Sequence, residues 1–145
     1  MEETVVIVGA SHAAAQAVDS LRREGHTGRL VLVGEEPQVP YQRPPLSKKY
    51  LSGELAADRL WIRPAAFYEQ QRCELMLGRR AVALDRSSQL VMLDDGGRLE
   101  YGRALLATGS RARPCEVPGA GLGGVHYLRT LGDVDRIRAE IENTP

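Results

Sequence analysis

Residues 5–18 read VVIVGASHAAAQAV. Four consecutive apolar residues, three of them valine, do not alternate as a half-wet strand does. Such a run suits a strand buried on both faces of a parallel sheet. From 11 to 24 the pattern turns helical, with Ala15, Val18 and Leu21 on one face and Arg22, Arg23 and Glu24 ending it. Gly25 and Gly28 then supply turn residues, and 30–33 form a second short apolar strand. Strand, glycine turn, helix and strand within about 30 residues make a βαβ unit. Its crossover is expected to be right-handed and its two strands parallel.

A chain of 145 residues can bury one core. Its formal net charge is zero and it holds no long basic block, so nothing points to nucleic acid. No apolar run is long enough to span a bilayer. The opening MEETVVIVG lacks a basic stretch leading into an apolar one, which makes cytoplasm the expected compartment. Cys73 and Cys115 are too few for a disulfide framework or a four-thiolate metal site. His12, His26 and His126 have no metal-ligand spacing, so no metal is expected.

Residues 35–48, EEPQVPYQRPPLSK, carry four prolines, which exclude a regular helix or a central strand. The segment is expected to be a long, stiffened loop, and such loops tend to be functional. A helical segment is expected at 65–71, and strands at 74–77, 80–85 and 90–93. Asp94-Asp95-Gly96-Gly97 reads as a hairpin turn into an antiparallel strand at 98–101. Residues 104–107 read as another buried strand, stopped by Thr108-Gly109. The last stretch, 131–142, reads as an amphipathic helix with Asp133, Arg136 and Glu140 on its wet side.

The first glycine turn has the parts of a dinucleotide phosphate site. Gly9 allows a sharp turn after the strand. Ser11 is small, and its hydroxyl can cap the helix or donate to phosphate. Ala14 is small enough for close helix–strand packing. Ser11 and Ala14 replace the second and third glycines of the usual motif, so the turn alone is weakly specific; a strand before it and a helix after it strengthen the reading. Glu35 and Glu36 follow the second strand, where a carboxylate accepts hydrogen bonds from ribose hydroxyls. An adenine dinucleotide is favoured over a turn that binds nothing. Spacing alone leaves FAD and NAD both open.

In YQRPPLSKKYLSG, two prolines brace the backbone between Arg43 and Lys48. A guanidinium and an ammonium held this way suit a pyrophosphate and the polar edge of a flavin ring. In ALLATGSRARP, Gly109 allows a close backbone approach that a Cβ would block.

The order VVIVGASHAA, VGEE, YQRPPLSK, LLATGSRARP and YLRTLGD resembles the ferredoxin reductases that serve bacterial oxygenases, with putidaredoxin and rubredoxin reductases as their types. The resemblance covers nearly the whole chain. It implies an α/β fold: a Rossmann-like FAD-binding βαβ unit with a parallel sheet and a small antiparallel meander, within a two-dinucleotide-domain flavoprotein. It also implies an FAD-dependent NADH oxidoreductase that passes electrons singly to a ferredoxin or rubredoxin. Carried over residue by residue, the first turn (Gly9, Ser11, Ala13 and Ala14) would hold the FAD pyrophosphate. Glu35, with Glu36 beside it, would bind the adenosine ribose, and the backbone near Ala81 would meet the adenine. Arg43 and Lys48 would contact the flavin, with Lys48 tuning its redox behaviour. Ala107, Thr108 and Gly109 would line the flavin, and Arg129 would reach it. The cofactor carries the chemistry, so no acid–base pair of side chains is required.

Members of that family are much longer than this sequence. Residues 1–112 would be the first segment of the FAD domain, and 113–145 a connector and helix leading toward an NADH-binding domain that the sequence lacks. A flavin disulfide reductase would need a close pair of redox cysteines, and Cys73 and Cys115 lie far apart. A non-catalytic flavin- or nucleotide-binding module and a plain NAD-dependent dehydrogenase remain as alternatives.

Overall fold

The computed structural model describes residues 3–143. The chain forms two compact units. One comprises the residues up to Tyr41 together with Trp61–Gly109; the other comprises Gln42–Leu60 and the residues from Ser110 onward.

In the first unit, β1 (Val5–Val8) runs into α1 (His12–Arg23), which returns to β2 (Leu30–Gly34). After α2 (Ala65–Gln70) come β3 (Cys73–Leu77), β4 (Ala81–Asp85), β5 (Leu90–Leu93), β6 (Arg98–Glu100) and β7 (Arg103–Leu106). One sheet has the order β3-β2-β1-β7, and every neighbouring pair in it is parallel. The other, β4-β5-β6, is an antiparallel meander. The expected α/β architecture is therefore present, with β3 joining the parallel sheet.

The continuous apolar run of β1 is explained by what lies on each side of it. Val5 and Ile7 share a cluster with Ala14 and Val18 of α1, Leu30, Leu32 and Tyr68. Val6 and Val8 face the other way, onto Val31, Val33 and the meander residues Val91, Leu93 and Leu99. Burying both faces removes every side chain of β1 and β2 from water, which at about 25 cal/mol per Å² of apolar surface is the main stabilising term. Arg22, at the end of α1, donates to the carbonyls of Gln71, His26, Gly28 and Arg72 over 2.7–3.0 Å. One guanidinium thus closes the two loops that lead into β2 and β3.

β7 departs from the expected buried strand. Leu105 is 40% and Leu106 61% exposed. Among the described residues β7 is the last strand on its side of the sheet and pairs with β1 alone, so its apolar residues lack the second cover that β1 enjoys.

In the second unit, α3 (Leu131–Asn143) packs on a wide helical turn, Leu46–Tyr50, that opens inside the proline-rich loop and is broken at Lys48 (φ −127°, ψ −114°). The Tyr50 hydroxyl donates to Asp135 Oδ1 at 2.7 Å, and the Arg138 guanidinium lies over the Tyr50 ring. Burial, aided by the bond to Asp135, pushes the Tyr50 phenol up to about 12. Asp133 does not lie on the wet side as expected: its carboxylate turns back to accept the Arg129 and Thr130 N–H groups at 2.9 and 2.7 Å. The Thr130 Oγ1 accepts the Asp133 N–H at 3.1 Å in return. Thr130-Leu131-Gly132-Asp133 is thus a reciprocal capping box that starts α3. Arg136 and Glu140 are exposed as expected. Among the described residues no helix is long and apolar enough to cross a membrane.

Candidate dinucleotide site

The parallel pairing brings three chain segments to one edge of the sheet. Val8 is level with Val33 on one side and Leu106 on the other, so Gly9, Gly34 and Ala107 all stand at the carboxyl ends of adjacent strands. The order β3-β2-β1-β7 places strands on both sides of β1, and the crevice at such a switch point is where open α/β sheets bind ligands.

Gly9 has φ +118°, a conformation that only glycine takes readily. A β-carbon there would lie 2.0 Å from the Ala107 carbonyl oxygen and 3.1 Å from the Thr108 nitrogen. The Ala107 N–H donates to the Val8 oxygen at 2.7 Å, and the Gly9 N–H to the Val33 oxygen at 2.8 Å. The two glycine-bearing turns, remote in sequence, are thereby built against each other. Gly109 follows at φ +69°, and Thr108 is exposed.

α1 begins immediately after this turn. Ser11 is extended (φ −140°, ψ −158°) and its hydroxyl does not cap the helix. The first helical bond runs from the Ala15 N–H to the Ser11 oxygen at 3.0 Å. The amides of His12, Ala13 and Ala14 precede it and have no carbonyl to bond within the helix. Ala14 is fully buried in the β1–β2 cluster, while Ala13 is exposed. The first turn holds no acidic side chain and the last holds Arg22 and Arg23, so the positive end of the helix dipole is left uncompensated by the helix's own residues. This donor set fits a dinucleotide diphosphate: several amides, a small hydroxyl, and a turn where side-chain bulk is forbidden.

The acidic pair lies at the end of β2. Gly34 is buried, and a β-carbon on it would come within 2.5 Å of the Ala10 side chain. The Glu35 side chain is 53% exposed, with Oε1 at 4.0 Å from Arg80 Nε. Ala81 opens β4 next to Arg80, at an irregularity in the β4–β5 register. The side chain of the residue before Ala81 thus reaches Glu35. Glu36 goes elsewhere: its Oε2 accepts the Tyr41 hydroxyl at 2.5 Å.

Arg43, Lys48 and Arg129 belong to the second unit. Arg43 Nη1 donates to the Arg129 carbonyl at 2.8 Å, and Arg129 Nε donates to the Ser110 carbonyl at 3.0 Å. Lys48 is exposed at the break in the turn. A polar cleft of about 270 Å³ lined by Thr4, Ser88, Gln89, Glu100, Tyr101 and Gly102 contains none of the expected site residues.

The sequence profile of the family described as pyridine nucleotide-disulphide oxidoreductase matches residues 3–143. The chain belongs to this family. Among the curated relatives, rhodocoxin reductase of Rhodococcus erythropolis is 45% identical over 95% of this chain and 32% of its own length. Putidaredoxin reductase of Pseudomonas putida is 39% identical over 96% of this chain and 34% of its own length. The crystal structure of a ferredoxin reductase from Rhodopseudomonas palustris superposes with a TM-score of 0.88 at 42% identity, covering 97% of this chain and 34% of that one. The chain spans about a third of the length of the curated relatives it matches.

The reading from sequence missed Tyr41 and the capping box at Thr130 and Asp133. The capping box has a visible signature, Thr-x-x-Asp at the start of an amphipathic segment. The Tyr41 hydroxyl bond has none.

Proposed function

We propose that this chain supplies the FAD-holding part of an NADH-dependent ferredoxin or rubredoxin reductase serving an oxygenase system, and that it works in the cytoplasm. The observation that carries the reading is the close fit of Gly9 against Ala107 and Thr108, beside the uncompensated start of α1. Support comes from the relatives: several are named as ferredoxin reductases of oxygenase systems, and one related crystal structure is a covalent putidaredoxin reductase–putidaredoxin complex.

In this reading the amides that open α1, with Ser11 and the small residues Ala13 and Ala14, hold the FAD diphosphate. Glu35 accepts the ribose hydroxyls and the Ala81 backbone meets the adenine. Ala107, Thr108 and Gly109 line the flavin. Arg43, fixed through Arg129, and Lys48 supply positive charge toward it, with Lys48 tuning its potential. Bound FAD supplies the conversion of a hydride from NADH into single electrons; the residues here bind, orient and polarise. Residues 1–112 form the first flavin-binding segment, and 113–145 lead toward an NADH-binding domain.

A chimera tests this. The matching third of rhodocoxin reductase is replaced by this chain, and flavin content and NADH-dependent reduction of the ferredoxin partner are measured. A yellow, active chimera supports the reading. A folded chimera that holds no flavin contradicts it.

A further inference from the structure

Two adjacent carboxylates follow β2, and the structure separates them. Tyr41 is 2% exposed. Its ring meets Trp61 edge-on at 6.5 Å, and it pairs with Trp61 in an antiparallel bridge. The buried ring points its hydroxyl at Glu36 Oε2, 2.5 Å away. The backbone of the same turn is tied to the segment before β4: the Gly78 N–H donates to the Glu36 carbonyl at 3.1 Å and the Arg79 N–H to the Gly34 carbonyl at 2.9 Å. Glu35 lies between these two anchored carbonyls with its carboxylate outward, 4.0 Å from Arg80.

We propose that Tyr41 and Glu36 are a positioning pair: the buried phenol holds the second carboxylate inward and so sets Glu35 as the acceptor for the ribose of an adenine nucleotide. The proposal rests on the FAD reading above and adds a selectivity element to it. A hydroxyl bonded to a carboxylate is a short, charge-assisted bond, stronger than a neutral one. One oxygen of the half-buried Glu36 accepts a hydrogen bond inside the protein, and the more exposed Glu35 is the carboxylate presented to the nucleotide. The pair acts on the adenosine half of a dinucleotide and leaves the flavin half untouched.

The test is equilibrium dialysis of the chain against FAD and, separately, against FMN, which lacks the adenosine. Tyr41→Phe and Glu36→Ala each weaken FAD binding about five- to tenfold, the net size of one ordinary hydrogen bond lost from a loosened Glu35, and leave FMN binding unchanged. Glu36→Gln, whose amide oxygen still accepts the tyrosine proton, stays within about twofold of the parent. In a Glu35→Ala background, Tyr41→Phe has no further effect on FAD. Unchanged FAD binding in Tyr41→Phe, or equal loss of FAD and FMN, overturns the positioning role while leaving the flavin reading intact. A parent chain that binds neither FAD nor FMN overturns both.

Discussion

The carbonyl oxygen of Ala107 lies 2.0 Å from the point where a β-carbon on Gly9 would stand. A strand end and the first turn of the chain are thus fitted together at the mouth of the crevice, and the fit leaves room for glycine alone. Gly9→Ala meets both a clash with backbone and a φ of +118°. It is expected to cost about 3 kcal/mol or more, since backbone cannot yield as a flexible side chain can. Thermal unfolding of the variant beside the parent measures this, and a melting temperature equal to the parent's would refute the packing described here.

Glu35 and Lys48 are assigned to opposite ends of the cofactor and should fail differently. Glu35→Gln weakens FAD but not FMN, because only FAD carries the adenosine ribose. Lys48→Ala in the chimera keeps its flavin, but its reduction potential falls, because a nearby cation favours the added negative charge. Dialysis and a spectroscopic redox titration read the two effects. A potential that rises or stays put on losing Lys48 argues against its placement near the flavin.

Asp133 gives the second unit an acid limit. Burial on its own would raise this carboxyl, but the Thr130 and Arg129 N–H groups, the Thr130 hydroxyl and the nearby Arg136 outweigh it and lower the pKa. A lowered folded-state pKa means the stabilisation is complete above the ordinary carboxylate range. It is lost as pH falls through the folded value. Asp133→Ala removes the capping box at a cost of about 1 kcal/mol near neutral pH, and the difference from the parent shrinks in acid. Circular dichroism of α3 against pH checks this; a gap between variant and parent that widens in acid would reverse the sign argued here.

The two cysteines should behave as separate, single thiols. Cys73 is 7% exposed, and burial pushes its thiol up to about 11. Cys115 is exposed. Iodoacetamide under native conditions is expected to label Cys115 alone, with Cys73 following only on unfolding. Rapid native labelling of Cys73 would show that the β3 end of the core opens readily.

The local elements were legible in sequence because each rests on a pattern of neighbours. The run VVIV announces a strand covered twice, and the clusters on its two faces show both covers. The shape of the first turn was legible for the same reason: Gly9 turns sharply and Ala14 packs against the strands within a few residues of each other. Exposure at β7 was not legible, because LLAT reads as buried whether or not a neighbouring strand is present. The hydrogen bond from Tyr41 to Glu36 was hidden too. It depends on a tyrosine whose direction is set by its bridge to Trp61, a tertiary fact that no spacing encodes. Asp133 was misread because helical periodicity ranks a first-turn carboxylate as solvent-facing, whereas the local cap competes for it and wins.

The central claim is that the first turn, with Glu35 and the Ala107–Thr108 turn beside it, holds FAD. The most direct measurement is the absorption spectrum of the chain after incubation with excess FAD and desalting, with the flavin released by denaturation and identified. The account predicts a retained flavin spectrum and recovery of FAD, both lost in Gly9→Ala. A folded chain that emerges colourless would contradict it.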